Sequence, residues 1–327
     1  MPTRLPPQRV AVTGASGLIG TALVGHLRSE GHTVQRLVRR PAIARDEISW
    51  DPKAGTVDLS ALEGVDAVIH LAGAGVGDKR WTKKYKSTIL NSRLLGTTAI
   101  ANAVATVKPS VFISGSAIGW YGETGNRAIT EADRGGDDFL AAVCREWEGA
   151  ADLAGDVRTV KIRTGLVLDP TGGALGRMIP LFRFGLGGKL GNGKQWWSWI
   201  TLHDQVRAIC HLMESKISGP VNLTTPNPST NQEFTAALAR AMHRPALFPA
   251  PGIALKLALG GFSTEILGSK KILPQALLDD NFVFDYPHLT NALETLVVPH
   301  LIIASAAWRP DLIAPFCEGT LLWSPAM

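Results

Sequence analysis

A chain of 327 residues, 45% hydrophobic and 19% charged, can bury a sizeable core, which excludes a disordered polypeptide and allows one large domain or a domain and a half. Its 33 basic and 28 acidic residues leave a formal charge of +5, a modest excess spread along the chain and densest at Arg39-Arg40 and residues 79–86. Phosphate-bearing small ligands account for that excess as well as nucleic acid does, and no nucleic-acid partner is expected.

The cysteines, Cys144, Cys210 and Cys317, are scattered. They form neither a disulfide framework nor a zinc pattern, and they fit a reducing cytoplasm. The opening MPTRLPPQRV has no apolar core and does not read as a secretory signal. RVAVTG (9–14) predicts a short buried strand, and residues 18–30 a helix that stops at Gly31. Residues 10–27 contain no Asp, Glu, Lys or Arg, but their four glycines argue against a membrane span. No membrane partner is expected.

HTVQRLVRR (32–40) is the second strand, closed by Pro41, and DAVIHLAG (66–73) is another. Residues 82–106 predict a long helix with Thr82 as its N-cap. SVFISGSA (110–117) is a strand, 137–153 a helix, and RTVKIRTGLVL (158–168) a strand. Buried strands alternating with helices mean an α/β fold, a doubly wound, Rossmann-type parallel sheet covered on both faces.

After residue 169 the pattern changes to Gly-rich, aromatic segments. A helix at 203–215, a strand VNLTT (221–225) and a helix at 231–243 follow. The expected organisation is a nucleotide-binding domain over 8–168, to which some later segments return, and a smaller C-terminal α/β substrate lobe over 169–297. Residues 298–327 fit neither and are left as an unassigned tail.

The first strand runs into GASGLIG, with Gly14, Gly17 and Gly20. Gly14 permits a tight turn, Gly17 lets a pyrophosphate approach the backbone, and Gly20 lets helix and strand pack closely. The helix N-terminus adds free N–H groups and partial positive charge, so Ser16, Leu18 and Ile19 join the candidate cofactor-binding residues. The end of the second strand selects the cofactor. A carboxylate there suits the ribose of NAD, and an arginine suits the 2′-phosphate of NADP. This chain offers Val38, Arg39 and Arg40, with no acid before Asp46, so NADP(H) is expected.

In order, GASGLIG, HLAGAG (70–75), SGSAIGWYG (114–122) and TLHDQV (201–206) resemble motifs of the short-chain dehydrogenase/reductase superfamily, in its extended, epimerase/dehydratase-like branch. DKRW (78–81), NSR (91–93), CREWE (144–148), RTGLVL (163–168) and LGNGKQWWSWITLHD (190–204) narrow the match. They resemble an atypical family labelled sugar-nucleotide epimerase or cell-division-inhibitor-like. SKKILPQALLDDNFVFDYPHL (269–289) resembles its small C-terminal domain of unknown function. The resemblance covers about residues 8–297. It implies a bound NADP, an active-site serine at Ser116, and cofactor contacts from Leu71, Ala72, Gly73, Arg93 and Val167. Arg93 stands where the wider superfamily usually has Asn.

Typical members use a Tyr to move the substrate proton and a Lys four residues later to hold the nicotinamide ribose and lower the Tyr pKa, which is otherwise about 10. The three tyrosines here are Tyr85, Tyr121 and Tyr286, followed at that spacing by Ile89, Gly125 and Thr290. By position, Leu140 and Cys144 replace the pair. Three substitutes are weighed. Tyr121 is either a cleft residue or a packed aromatic. Cys144 is either a thiol that titrates beside a cation or inert packing. Ser116 can hydrogen-bond a carbonyl but is a poor base alone. Glu146 and Glu148 read as solvated helix-surface acids, and His203-Asp204 as a tempting charge pair. No metal site is expected.

The expected function is an NADP-dependent oxidoreductase or epimerase-like enzyme, without the usual base, acting on a small molecule such as a sugar nucleotide or carbonyl compound. The alternative is a catalytically weak NADP(H)-binding regulatory or redox-sensing protein. Oligomeric state is open.

Overall fold

The computed structural model describes residues 6–306, with side chains up to 297. Strand β1 (Arg9–Thr13) is buried almost throughout and leads through the glycine loop into α1 (Leu18–Ser29). Leu23, Val24 and Leu27 form the helix face turned to the sheet. β2 (Thr33–Val38) follows, then β3 (Glu47–Asp51) and β4 (Thr56–Val57), which extend the sheet edge. A one-turn helix α2 (Leu59–Leu62) leads to β5 (Ala67–His70).

The long α3 (Lys83–Val107) starts where predicted. Thr82 is its N-cap, accepting the Tyr85 N–H, and satisfies one of the donors a helix start leaves free. β6 (Val111–Ala117), the short β7 (Ala128–Ile129), α4 (Phe139–Ala151) and β8 (Thr159–Thr164) complete the pattern up to Gly165. The single strand expected over 158–168 is two. At Gly165 the chain leaves the main sheet, and β9 (Leu166–Asp169) begins. A Cβ there would sit 2.7 Å from the Ser198 carbonyl oxygen and 2.8 Å from Thr224 Cγ2. Glycine permits this close approach.

The Gly-rich segment holds an unforeseen helix, α5 (Gly173–Arg183). Then come β10 (Trp196–Trp197), β11 (Trp199–Thr201) and α6 (Leu202–Glu214). β12 (Gly219–Leu223) returns to the main sheet, and β13 (Ser229–Thr230) leads into α7 (Asn231–Ala241). The C-terminal part carries α8 (Gly252–Leu259), α9 (Ser263–Leu267), β14 (Lys271–Ile272), α10 (Gln275–Asp279) and α11 (Leu289–Ala306). The last helix crosses the boundary expected at 298; residues 307–327 lie outside the described residues.

The main sheet has the order β12-β8-β6-β5-β1-β2-β3-β4, parallel throughout except that β4 runs antiparallel to β3. Connections run outward in opposite directions from β1 and β5, so the topological switch point lies between them. α1 and α6 cover one face and α3 and α4 the other. A third core, around Phe182, Trp199, Phe234 and Leu293, belongs to the smaller lobe. No helix among the described residues is long and apolar enough to cross a membrane.

Candidate cofactor crevice and active site

The two loops flanking the switch point touch. Gly14 has φ +68°, and a Cβ on it would lie 2.8–2.9 Å from the backbone of Leu71 and Ala72. A Cβ on Gly20 would lie 2.1 Å from the Gly14 carbonyl oxygen. The Gly17 N–H closes the turn on that oxygen at 2.9 Å. Gly17 caps α1 without a side chain, and Ser16 and Gly17 are exposed. The first N–H groups of α1, from Leu18 and Ile19, therefore face an open edge with no capping oxygen, the arrangement that receives a pyrophosphate.

Thr13 fixes the second loop. Its hydroxyl accepts the N–H groups of Leu71 at 3.1 Å and Ala72 at 3.3 Å. With both lone pairs used, it donates to His70 Nδ1 at 2.7 Å. His70 is fully buried, and burial pushes its pKa down to about 3, so the ring is neutral. Its Nε2 is buried without a hydrogen-bond partner among the described residues.

Across the crevice, Leu18 packs on Gly172 and Gly173 of the smaller lobe, and Val167 presents its carbonyl to Gly173. Gly14, Leu71, Ala72, Leu18 and Val167 are thus linked through contacts along one crevice. At its far end, Val38 closes β2 and is followed by the exposed Arg39 and Arg40. These two differ. Arg40 makes a two-pronged ion pair with Glu47, at 2.8 and 2.6 Å, which holds that carboxyl down at about 2. Arg39 has no hydrogen bond or ion pair among the described residues. Asp46 is held by Arg28 and Arg36 instead.

Arg93, on α3, sits beneath Gly73, where a Cβ would touch its guanidinium at 3.5 Å. Its Nη1 donates to the carbonyls of Ala74 and Ile89, and its Cζ lies 4.7 Å over the Trp147 ring. No carboxylate pairs with it among the described residues, and burial lowers its pKa. The Nε and Nη2 donors are left for another acceptor.

The expected proton-transfer residues occupy a different setting. Ser116 is buried, and its hydroxyl donates to Glu148 Oε1 at 2.6 Å. Glu148 is not the solvated acid its position suggested: it is 5% exposed and gripped by Arg163 at 2.8 and 2.9 Å. Arg163 Nη1 also donates to the Tyr121 hydroxyl at 2.9 Å, which donates onward to Asn222 Oδ1 at 2.8 Å. Tyr121 is therefore a packed aromatic with both sides of its hydroxyl engaged, and burial is the main cause that pushes it up to about 12. Cys144 donates to the Ala117 carbonyl at 3.6 Å. Burial, reinforced by Glu148, pushes its thiol up to about 12 although Arg93 opposes the shift. The sequence motifs hid Arg163 and Asn222, whose partners are distant along the chain.

His203 and Asp204 do not pair. His203 Nε2 bonds Asp285 at 2.7 Å. Asp204 accepts Arg207 and the N–H groups of Asp285 and Tyr286, which ties the C-terminal segment to α6. These carboxylates and His203 cluster closely enough to hold a metal, but Arg207 lies 2.9 Å from Asp204 and 3.2 Å from Asp285 and supplies the positive charge there. A cavity of about 630 Å³ beside them, lined by His26, His32, His203 and His211, lies between α1, α6 and residues 281–283, apart from the crevice. The Trp196–Trp199 run is structural: Trp199 is fully buried and Trp197 packs on Phe234.

Residues 10–139 match the NAD dependent epimerase/dehydratase family, and residues 250–296 match a domain of unknown function, DUF1731. An epimerase family protein of Mycobacterium leprae is 43% identical over 289 residues, spanning 87% of this chain and 94% of that protein. The structure of human epimerase family protein SDR39U1 (isoform 2) with NADPH superposes with a TM-score of 0.82 at 32% identity, covering 89% of this chain and 99% of that one. A nucleoside-diphosphate sugar epimerase from Corynebacterium glutamicum gives a TM-score of 0.70 at 33% identity, covering 92% of this chain and 62% of that one. These matches join the glycine crevice and the C-terminal domain in one pattern, and the chain belongs to the NAD(P)-dependent epimerase family of extended short-chain dehydrogenase/reductase type, with a DUF1731 ending.

Proposed function

We propose that this chain is an NADP(H)-dependent oxidoreductase or epimerase-like enzyme that takes a small carbonyl compound or sugar nucleotide. The observation that carries the cofactor choice is Arg39, exposed at the end of β2 and without a protein partner among the described residues. A guanidinium in that place suits a 2′-phosphate. NADPH in the human relative supports the same choice. Gly14, Ser16, Gly17, Leu18, Ile19 and Gly20 would hold the pyrophosphate, Val38 and Arg39 the adenosine phosphate, and Leu71, Ala72, Gly73 and Val167 the remaining edge. Such a cofactor supplies hydride exchange at a carbonyl or alcohol carbon.

Arg93 takes the part of the missing lysine. It is a half-buried cation with free donors, coupled electrostatically to Cys144 at the position the lysine would occupy, and it suits a ribose, phosphate or substrate oxygen. Ser116, Tyr121 and Cys144 are engaged or held protonated, so proton delivery is the weak step and turnover is expected to be slow. The same observation favours the second reading, a cofactor-binding regulator with little chemistry. Following NADPH absorbance with a panel of carbonyl compounds and sugar nucleotides separates the two. Consumption that Arg93→Met abolishes supports the enzyme. No turnover from cofactor-loaded protein, with reduced and oxidised cofactor bound at different affinities, supports the regulator.

A further inference from the structure

The smaller lobe carries a surface that the cofactor crevice does not use. Helix α8 buries none of its residues. Ile253 and Leu257 on it are 76% and 72% exposed. On the neighbouring segments, Phe184 is 78% exposed, with Leu181, Leu186 and Phe248 also turned outward. The segments that carry these side chains are joined by backbone hydrogen bonds. The Phe248 N–H bonds the Gly187 carbonyl, and Ala250 and Lys189 are joined in the same way. The Leu186 N–H bonds the Leu181 carbonyl. An apolar ridge of this kind on a folded lobe marks a contact surface.

Charge identifies what it contacts. Residues 170–194 and 234–264 hold seven of the 33 basic residues and none of the 28 acidic ones, so the rest of the chain is slightly acidic. Arg183, Lys189, Arg244 and Lys256 are exposed on these segments and make no ion pair among the described residues. A second copy of the same face would bring these cations against each other.

We infer that this face docks on an anionic lipid bilayer. The apolar side chains enter the headgroup boundary while the flanking cations meet lipid phosphates, and no span is needed. This departs from the expectation that no membrane takes part. The Leu257 carbonyl accepts Arg80 Nη1, and Trp81 packs on Phe262, so the docking face is tied to the loop that follows β5.

The test is co-sedimentation of the full chain with phosphatidylcholine vesicles, with and without phosphatidylglycerol, at low and high salt. Expected is binding to the anionic vesicles alone, weakened by salt. The triple variant F184D/I253D/L257D should reduce the bound fraction roughly tenfold or more, and K189E/K256E should also reduce it at low salt. The charge variant alters side chains that make no hydrogen bond or ion pair among the described residues, so it carries the test if the triple variant misfolds. Absence of binding to anionic vesicles, or binding that both variants leave unchanged, overturns the inference. So does concentration-dependent self-association that the triple variant abolishes without any vesicle binding, which would assign the face to a second copy.

Discussion

Arg163 holds Glu148 with two parallel hydrogen bonds, Nε to Oε1 at 2.8 Å and Nη2 to Oε2 at 2.9 Å, and both side chains are more than nine-tenths buried. Ser116 donates its hydroxyl to Glu148, and the Tyr121 hydroxyl accepts from Arg163 and donates to Asn222. Two of the three candidate proton-transfer residues, Ser116 and Tyr121, are thereby bound into a structural network. Removing one partner strands the other charge in a low-dielectric interior. Glu148→Ala should therefore cost about 3–5 kcal/mol in urea unfolding, and Ser116→Ala less, about 1–3 kcal/mol. Stability unchanged by Glu148→Ala, with cofactor-dependent turnover lost, would assign Glu148 a catalytic role instead.

Gly20 touches the turn more closely than any side chain allows, since its Cβ would sit 2.1 Å from the Gly14 carbonyl oxygen. Gly20→Ala must push α1 away from the loop. Overpacking of this kind costs about 1–3 kcal/mol, and the displaced helix start should lose cofactor binding even where the chain still folds. Thermal unfolding and equilibrium dialysis with NADPH measure both. Full affinity in a folded Gly20→Ala protein would mean the loop tolerates the shift.

His70 ties stability to pH. Its folded pKa, about 3, lies below the ordinary value of 6.5 because burial opposes the charge. The unfolded chain therefore binds the extra proton first as pH falls. The stabilisation is complete above about 6.5 and is lost as pH falls toward 3, with a slope of at most about 1.4 kcal/mol per pH unit. Urea midpoints at pH 7, 6, 5 and 4 should fall more steeply in the wild type than in His70→Asn, which has no proton to gain there. Parallel slopes would contradict this assignment.

How much of this was legible in the sequence depends on range. β1, the glycine loop and α1 were readable because turn, cap and apolar face lie within about one helix length of each other. Thr82 was readable as an N-cap for the same reason. β3 and β4 were missed because EISWD is short and half polar, and its pairing is set by β2. Without β3, nothing in the sequence marks Glu47 as the partner of Arg40. The break at Gly165 is imposed by Ser198 and Thr224, which nothing local announces. Glu148 lies on a helix of mixed polarity, and only Arg163, brought over on the neighbouring strand, explains its burial. Tyr121 meets Asn222 across 101 residues, a distance over which spacing carries no information.

Arg39 is the side chain on which the cofactor choice turns, and a binding experiment reaches it without knowledge of the substrate. Calorimetric titration of the ligand-free protein with NADPH, NADP+, NADH and NAD+, repeated with Arg39→Ala and Arg40→Ala, is the most direct measurement. Expected is tight binding of the two phosphorylated forms, weakened about 10- to 100-fold by Arg39→Ala, as befits loss of charge-assisted hydrogen bonds. Arg40→Ala, whose guanidinium already serves Glu47, should weaken binding less. Preference for NADH and NAD+, or indifference to Arg39→Ala, would contradict the NADP(H) assignment.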